Sequence, residues 1–166
     1  ELEKPTIAKI QGYCMGGGMA LACACDIRIC SDNSVFAIPA GRLGIAYRPN
    51  FTRWVMEAVG ASTTKEILFT ARRYDAAEAL QLGLVNRVTS VDELAGYVLD
   101  YAQSITENAP LSVRATKAIV NIVGDSPGEW DRDKMQEFID ACSNSEDYIE
   151  GRRAYMEKRT PEFKGK

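Results

Sequence analysis

The 166 residues are 46% hydrophobic and 26% charged, an ordinary globular composition with room for one core, or a core plus a small appendage. A net charge of −3 and a pI near 5.1 give no support for binding nucleic acid or an anionic membrane surface. No apolar run approaches membrane-spanning length, and the absence of histidine excludes from these residues a Ser-His-Asp triad, a Cys-His pair and every His-bearing metal motif.

The opening Glu1-Leu2-Glu3-Lys4-Pro5 does not read as a signal peptide. An apolar run from Thr6 to Ile10 reads as a strand. It leads into Gly12-Tyr13-Cys14-Met15-Gly16-Gly17-Gly18, and a helix of small residues is expected from Gly17 to about Ala24. Three glycines at a strand-to-helix junction let other atoms approach the main-chain N–H groups. The first N–H groups of a helix lack intrahelical partners and lie at its positive end. Such a loop suits an anion or a developing oxyanion. It equally suits close packing of a helix on a sheet, and the glycines alone leave both readings open. Two nucleotide motifs fail here. Leu21 stands where G-x-G-x-x-G needs its last glycine, and Gly18-Met19 replaces the Lys-Ser/Thr of a P-loop.

Asp26 to Cys30 alternates polar and apolar residues as a half-buried strand does. Ser31 to Ser34 is turn chemistry, Val35 to Ile38 is a short strand, and Ala40 to Asn50 is a structured loop. A helix capped by Asn50 or Thr52 runs to Val59 and stops at Gly60. Thr63-x-x-Glu66 and Asp75-x-x-Glu78 are capping boxes, the second opening a helix that Gly83 ends. Leu84 to Val88 is extended. Ser90-x-x-Glu93 opens a longer helix to about Asn108, and Pro110 starts the next, to Gly124. Ser126-Pro127-Gly128-Glu129 starts another, with Trp130, Phe138, Ile139 and Cys142 near one buried face. Ser145 starts the last helix, Lys158 and Arg159 occupy its final turn, and Pro161 stops it.

Of the five cysteines, Cys14, Cys23, Cys25 and Cys30 cluster early and Cys142 stands apart. Their odd number and apolar surroundings read as reduced thiols of a cytoplasmic protein. Cys23-Ala24-Cys25 lacks zinc-site spacing, so no metal site is expected. Strands crowd the first part of the chain and helices fill the rest. Too few strands precede Pro39 to bury both faces of a sheet, so an N-terminal part of the domain is expected to be missing or supplied by another chain.

Lys4-Pro5-Thr6-Ile7-Ala8, Gly12-Tyr13-x-x-Gly16-Gly17-Gly18, Cys25-Asp26-Ile27-Arg28, Phe36-x-x-Pro39 and Leu43-Gly44 together resemble the enoyl-CoA hydratase/isomerase (crotonase) family. So do Ala76-x-x-Ala79-x-x-x-Gly83-Leu84-Val85, Ala109-Pro110-Leu111 with Lys117, and the run from Ser145 to Phe163. The resemblance implies an α/β fold, a spiral of ββα turns (residues 1–108) followed by a helical oligomerisation segment (109–166) that builds trimers or hexamers. It implies acyl-CoA substrates, with coenzyme A carried by the substrate and no other cofactor. It places the N–H of Gly17 as one of two donors to a thioester oxygen, the other coming from an N-terminal loop that this sequence lacks.

Family hydratases carry two glutamates for water and proton handling, and the matching positions here are Ala20 and Ala40. A methyl group transfers no proton, so ordinary hydration, or isomerisation by a carboxylate at the second position, is not expected. Met15, Gly16, Ala20, Ala40, Leu43 and Arg48 are expected to line the substrate site. Leu43-Gly44-x-x-Tyr47 resembles the methylmalonyl-CoA decarboxylase branch, where such a tyrosine lies near the substrate carboxylate. Tyr47 and Arg48 can hold that group, or Tyr47 lines an acyl pocket while Arg48 is a surface or CoA-phosphate residue. Phe163 matches an aromatic that packs near adenine. Lys117, Lys158 and Lys164 are candidates for CoA phosphates or simply solvated helix ends. Loss of both glutamates also fits a non-catalytic acyl-CoA-binding member.

Overall fold

The computed structural model describes residues 2–125 and 128–166. The chain forms two compact units, residues 6–100 and residues 101–166 with 2–5.

The first unit is mixed α/β. Strand β1 (Ile7–Ile10) pairs in parallel with β3 (Ile27–Ser31), which pairs in parallel with β6 (Arg87–Thr89). A second sheet sets β2 (Tyr13–Met15) parallel to β4 (Val35–Ala37), with β5 (Tyr74–Asp75) antiparallel at its other edge. The chain crosses from one sheet to the other at Gly12, where φ is +71°, a value glycine adopts without steric cost. The parallel crossing uses Ser31 to Ser34. Its corner is tied by the Ser31 and Ser34 hydroxyls, 3.1 Å apart, and by the Val35 N–H donating to the Gly12 carbonyl at 2.9 Å.

Each pair of strands ends in helix. After β1 and β2 comes α1 (Gly17–Cys23). After β3 and β4 comes a 3-10 turn (Pro39–Leu43), then α2 (Pro49–Thr70). This is the ββα order that the resemblance implies. The residues that build the core explain the strands: Ile10, Cys14, Cys30, Phe36, Ile38 and Tyr74 are buried together, with Met19 and Ile67 from the helices.

Several boundaries differ from expectation. Tyr13–Met15 forms a strand rather than loop, and part of the 40–50 segment is the 3-10 turn. Gly60 is itself non-helical at φ +77° and divides α2 into two helical segments, so the first segment ends where expected. The helix resumes at once, so Thr63 has no N-terminus to cap, and the Thr64 hydroxyl instead donates to the Gly60 carbonyl at 2.8 Å. The Asp75 capping box is formed in full and starts α3 (Ala76–Gln81).

Helix α4 (Leu94–Thr106) contains the division between units. The second unit holds α5 (Pro110–Asp125), α6 (Arg132–Ser143) and α7 (Glu146–Glu157). Ser126 and Pro127, expected at a helix start, lie outside the described residues. Asp131 caps α6, accepting from the Lys134 N–H at 3.0 Å. Trp130 and Ile139 are 41% and 44% exposed rather than buried. The amphipathic spacing is real, but α6 buries no residue completely in this unit. Ser145 caps α7, and Lys158 follows the helix as its left-handed cap at φ +54°.

Two carboxylates fasten the C-terminal tail. Asp147 accepts the N–H groups of Lys164 and Gly165 at 2.7 and 2.8 Å. Glu150 accepts Arg159 and Arg153, both at 2.6 Å, and the Glu162 N–H at 3.0 Å. The guanidinium of Arg159 foremost, then that of Arg153, holds the Glu150 carboxyl well below the usual carboxylate range.

All five cysteines are free thiols, with Cys14, Cys23 and Cys30 buried. Burial foremost pushes each of these three up to about 11 from an ordinary 9.0. Thiolate is the reactive form, so an Ellman titration of the native protein at neutral pH reacts rapidly with Cys25 and Cys142 only, and with all five in denaturant. Because these pKa values are raised by folding, the stability the neutral thiols lend is full below about pH 9 and is lost as pH rises through about 11.

Candidate functional site

The glycine loop is held from three sides at Gly16. Its N–H donates to the Ala37 carbonyl at 2.8 Å, which continues the β2–β4 ladder by one bond. Its carbonyl accepts the Ala20 N–H at 3.1 Å, the first bond of α1. The same carbonyl accepts the Tyr47 hydroxyl at 2.8 Å. Gly16 itself sits at φ +51° and ψ −115°, a conformation that L side chains rarely adopt.

Gly17 is the first residue of α1, so its N–H has no intrahelical acceptor. Among the described residues, no backbone bond outside the helices and strands uses it either. Gly17 and Gly18 are exposed, and a Cβ at either would meet nothing within 4 Å. The loop therefore offers an oriented, solvent-facing donor. Its neighbours are apolar. Met15 ends β2, half-buried, while Ala20 and Ala40 are buried methyl groups, on α1 and in the 3-10 turn.

Tyr47 lies 31 residues beyond the carbonyl it binds. It packs on the core cluster that includes Ala40 and meets Phe51 with ring centroids 5.6 Å apart. Burial foremost, with the Cys23 and Cys14 thiols adding, pushes the Tyr47 phenol up to about 12. Its one proton therefore stays in place at neutral pH and is directed at Gly16. Nothing in the sequence near Tyr47 signals this bond. Among the expected site residues, Met15, Gly16, Gly17, Ala20 and Tyr47 gather at the loop. Leu43 is 67% exposed, and the Arg48 guanidinium lies 5.9 Å from the Phe51 ring centre.

The remaining candidates belong to the second unit. Phe163 and Gly151 line an open groove of about 680 Å³ together with Cys142, Tyr148 and Arg152. The Phe163 ring lies over Gly151 of α7, where a Cβ would meet it at 3.5 Å in ordinary van der Waals contact. The Lys164 side chain is exposed while its N–H is held by Asp147. Lys117 donates to the Lys4 carbonyl at 3.0 Å. Among the described residues, no three His, Cys, Asp or Glu side chains are grouped to hold a metal ion, and no helix is long and apolar enough to cross a membrane.

A model of the enoyl-CoA hydratase/isomerase family matches residues 1–166. Carnitinyl-CoA dehydratases from Proteus mirabilis and Citrobacter koseri are 39% and 38% identical over the whole chain, which spans 65% of their length. The crystal structure of an enoyl-CoA hydratase/isomerase family protein from Hyphomonas neptunium superposes with a TM-score of 0.92 at 35% identity, over 99% of this chain and 62% of that one.

Proposed function

The chain belongs to the enoyl-CoA hydratase/isomerase family, and on that premise we propose that it processes acyl-CoA thioesters with the Gly17 N–H as one donor to the thioester oxygen. The observation that carries this reading is the clamped Gly16–Gly17 peptide, whose N–H is oriented and has no backbone acceptor among the described residues. When a thioester loses a proton or a carboxylate at Cα, negative charge moves onto its oxygen. A donor already in place lowers the energy of that state without reorganising. The second donor comes from outside these residues. Met15, Ala20, Ala40 and Leu43 line the acyl side, and the substrate's coenzyme A is held in part by Phe163 and Lys164. Residues 109–166 mediate assembly into trimers or hexamers, in the cytoplasm.

The reaction is not two-carboxylate hydration, because Ala20 and Ala40 can neither take nor give a proton. Dehydration, the activity in the names of the carnitinyl-CoA relatives, needs the same oxygen stabilisation and an α-proton acceptor from elsewhere. Decarboxylation needs no carboxylate base, since cleavage of the C–C bond yields the enolate directly. In that case Arg48, rather than Tyr47, is the group to hold the departing carboxylate. The absence of both glutamates also favours a second reading, a binder that turns nothing over.

The full chain, incubated with crotonyl-, carnitinyl-, malonyl- and methylmalonyl-CoA and followed by mass spectrometry, tests this. Turnover of at least one thioester without hydration of crotonyl-CoA is the expected result. Loss of CO₂ from a malonyl type identifies the decarboxylase. Binding without turnover of any member overturns the enzymatic reading in favour of the binder.

A further inference from the structure

We propose that Tyr47 is a positioning residue for the oxyanion donor, acting through the Gly16–Gly17 peptide. The inference rests on the role proposed for the Gly17 N–H and adds to it the group that sets that donor's direction and strength. The Gly16 carbonyl and the Gly17 N–H belong to one peptide plane, and among the described residues no peptide bond is cis. In a trans peptide they point in opposite directions. Whatever fixes the carbonyl therefore aims the N–H.

That aim is not secured by side chains, because Gly16, Gly17 and Gly18 have none. Rotation about the Gly16 ψ and Gly17 φ angles would turn the plane and swing the N–H away. Two bonds oppose this. A carbonyl oxygen has two acceptor sites, and here one takes the Ala20 N–H at 3.1 Å and the other the Tyr47 hydroxyl at 2.8 Å. The helix bond is the longer of the two, and it lies at a helix start, where fraying is easiest. The tyrosine bond comes from a ring braced by Phe51 and the core. It also polarises the peptide, since hydrogen bonds in series strengthen one another. With both acceptor sites filled, the N–H is a stronger donor as well as a better aimed one. The phenol keeps its proton at neutral pH, so the bond persists through turnover.

The test uses acetoacetyl-CoA, whose enolate is chromophoric, bound to the full chain and titrated spectrophotometrically. An oxyanion donor lowers the pKa of the bound β-keto thioester. Tyr47→Phe keeps the ring and removes the hydroxyl. The loss of one neutral hydrogen bond is expected to raise the bound probe's pKa by about 0.3 to 1 unit, a two- to tenfold weaker enolate. 3-Fluorotyrosine at position 47, a stronger donor in the same shape, moves the pKa the other way. A purely structural role would not produce this reversal, and it is read on a protein that keeps the native bond even if the Phe variant unfolds. Equal probe pKa values in all three proteins overturn the role of Tyr47 and leave that of Gly17 standing. If the unaltered protein fails to lower the probe's pKa at all, the oxyanion site is overturned, and the role of Tyr47 with it.

Discussion

Replacing Gly17 with proline lowers turnover of the acyl-CoA substrate about 10²- to 10³-fold, the cost of one oxyanion donor where such donors have been removed. The substitution deletes the N–H and little else. Among the described residues no backbone acceptor takes that N–H, which belongs to the first residue of α1, and a Cβ at this position meets nothing within 4 Å. Proline is also favoured at the first position of a helix, where its fixed φ suits the turn and its missing donor is not needed. The preceding residue, which proline restricts, is a glycine and so has the widest freedom to adjust. The loss should fall on kcat, with KM nearly unchanged, because the bond strengthens only as charge reaches the oxygen. Steady-state kinetics beside a thermal melt separate the two effects. Full turnover in a folded Gly17→Pro protein contradicts the donor role.

Truncating Phe36 to alanine destabilises the first unit by about 3–5 kcal/mol, the usual cost of deleting a buried aromatic ring. Phe36 is 1% exposed and lies in the middle of β4, opposite Cys14 on one side and Tyr74 on the other. It belongs to the buried core cluster with Met19, Val55, Ile67 and Tyr74, so truncation leaves a cavity among packed side chains. Against total stabilities of about 5–15 kcal/mol the change is large. It reaches the site as well, because the next residue, Ala37, supplies the carbonyl that holds the Gly16 N–H. A urea titration followed by circular dichroism measures it. The exposed Leu43, truncated the same way, serves as the comparison and should change the midpoint little.

Local signals were the readable ones. The Asp75 and Ser145 caps, the helix start at Gly17 and the helix break at Gly60 depend on residues within a few positions, and each is where the pattern put it. The strands β2 and β5 were not readable. Each is short, and each exists through its pairing with β4, which lies elsewhere in the chain. The spacing of Phe138, Ile139 and Cys142 gave the amphipathic character of α6, but spacing alone does not say whether anything covers that face. At the site, the glycines and the two alanines were legible as residue types. The hydrogen bond from Tyr47 to Gly16 was not, because a contact across 31 residues leaves no local trace. That bond also changes the meaning of Tyr47. The sequence suggested a hydroxyl for a substrate carboxylate or an acyl-pocket wall, and the structure directs its proton to the backbone of the glycine loop.

If the Gly16–Gly17 peptide stabilises a thioester oxygen while both glutamate positions hold alanine, its N–H polarises the bound carbonyl. Difference infrared spectroscopy of a thioester labelled with ¹³C at its carbonyl, bound to the full chain, reads that peptide's effect directly. The expected carbonyl stretch lies at lower frequency than in free acyl-CoA, with the shift largely lost in Gly17→Pro. A bound carbonyl whose frequency is the same in both proteins contradicts that stabilisation.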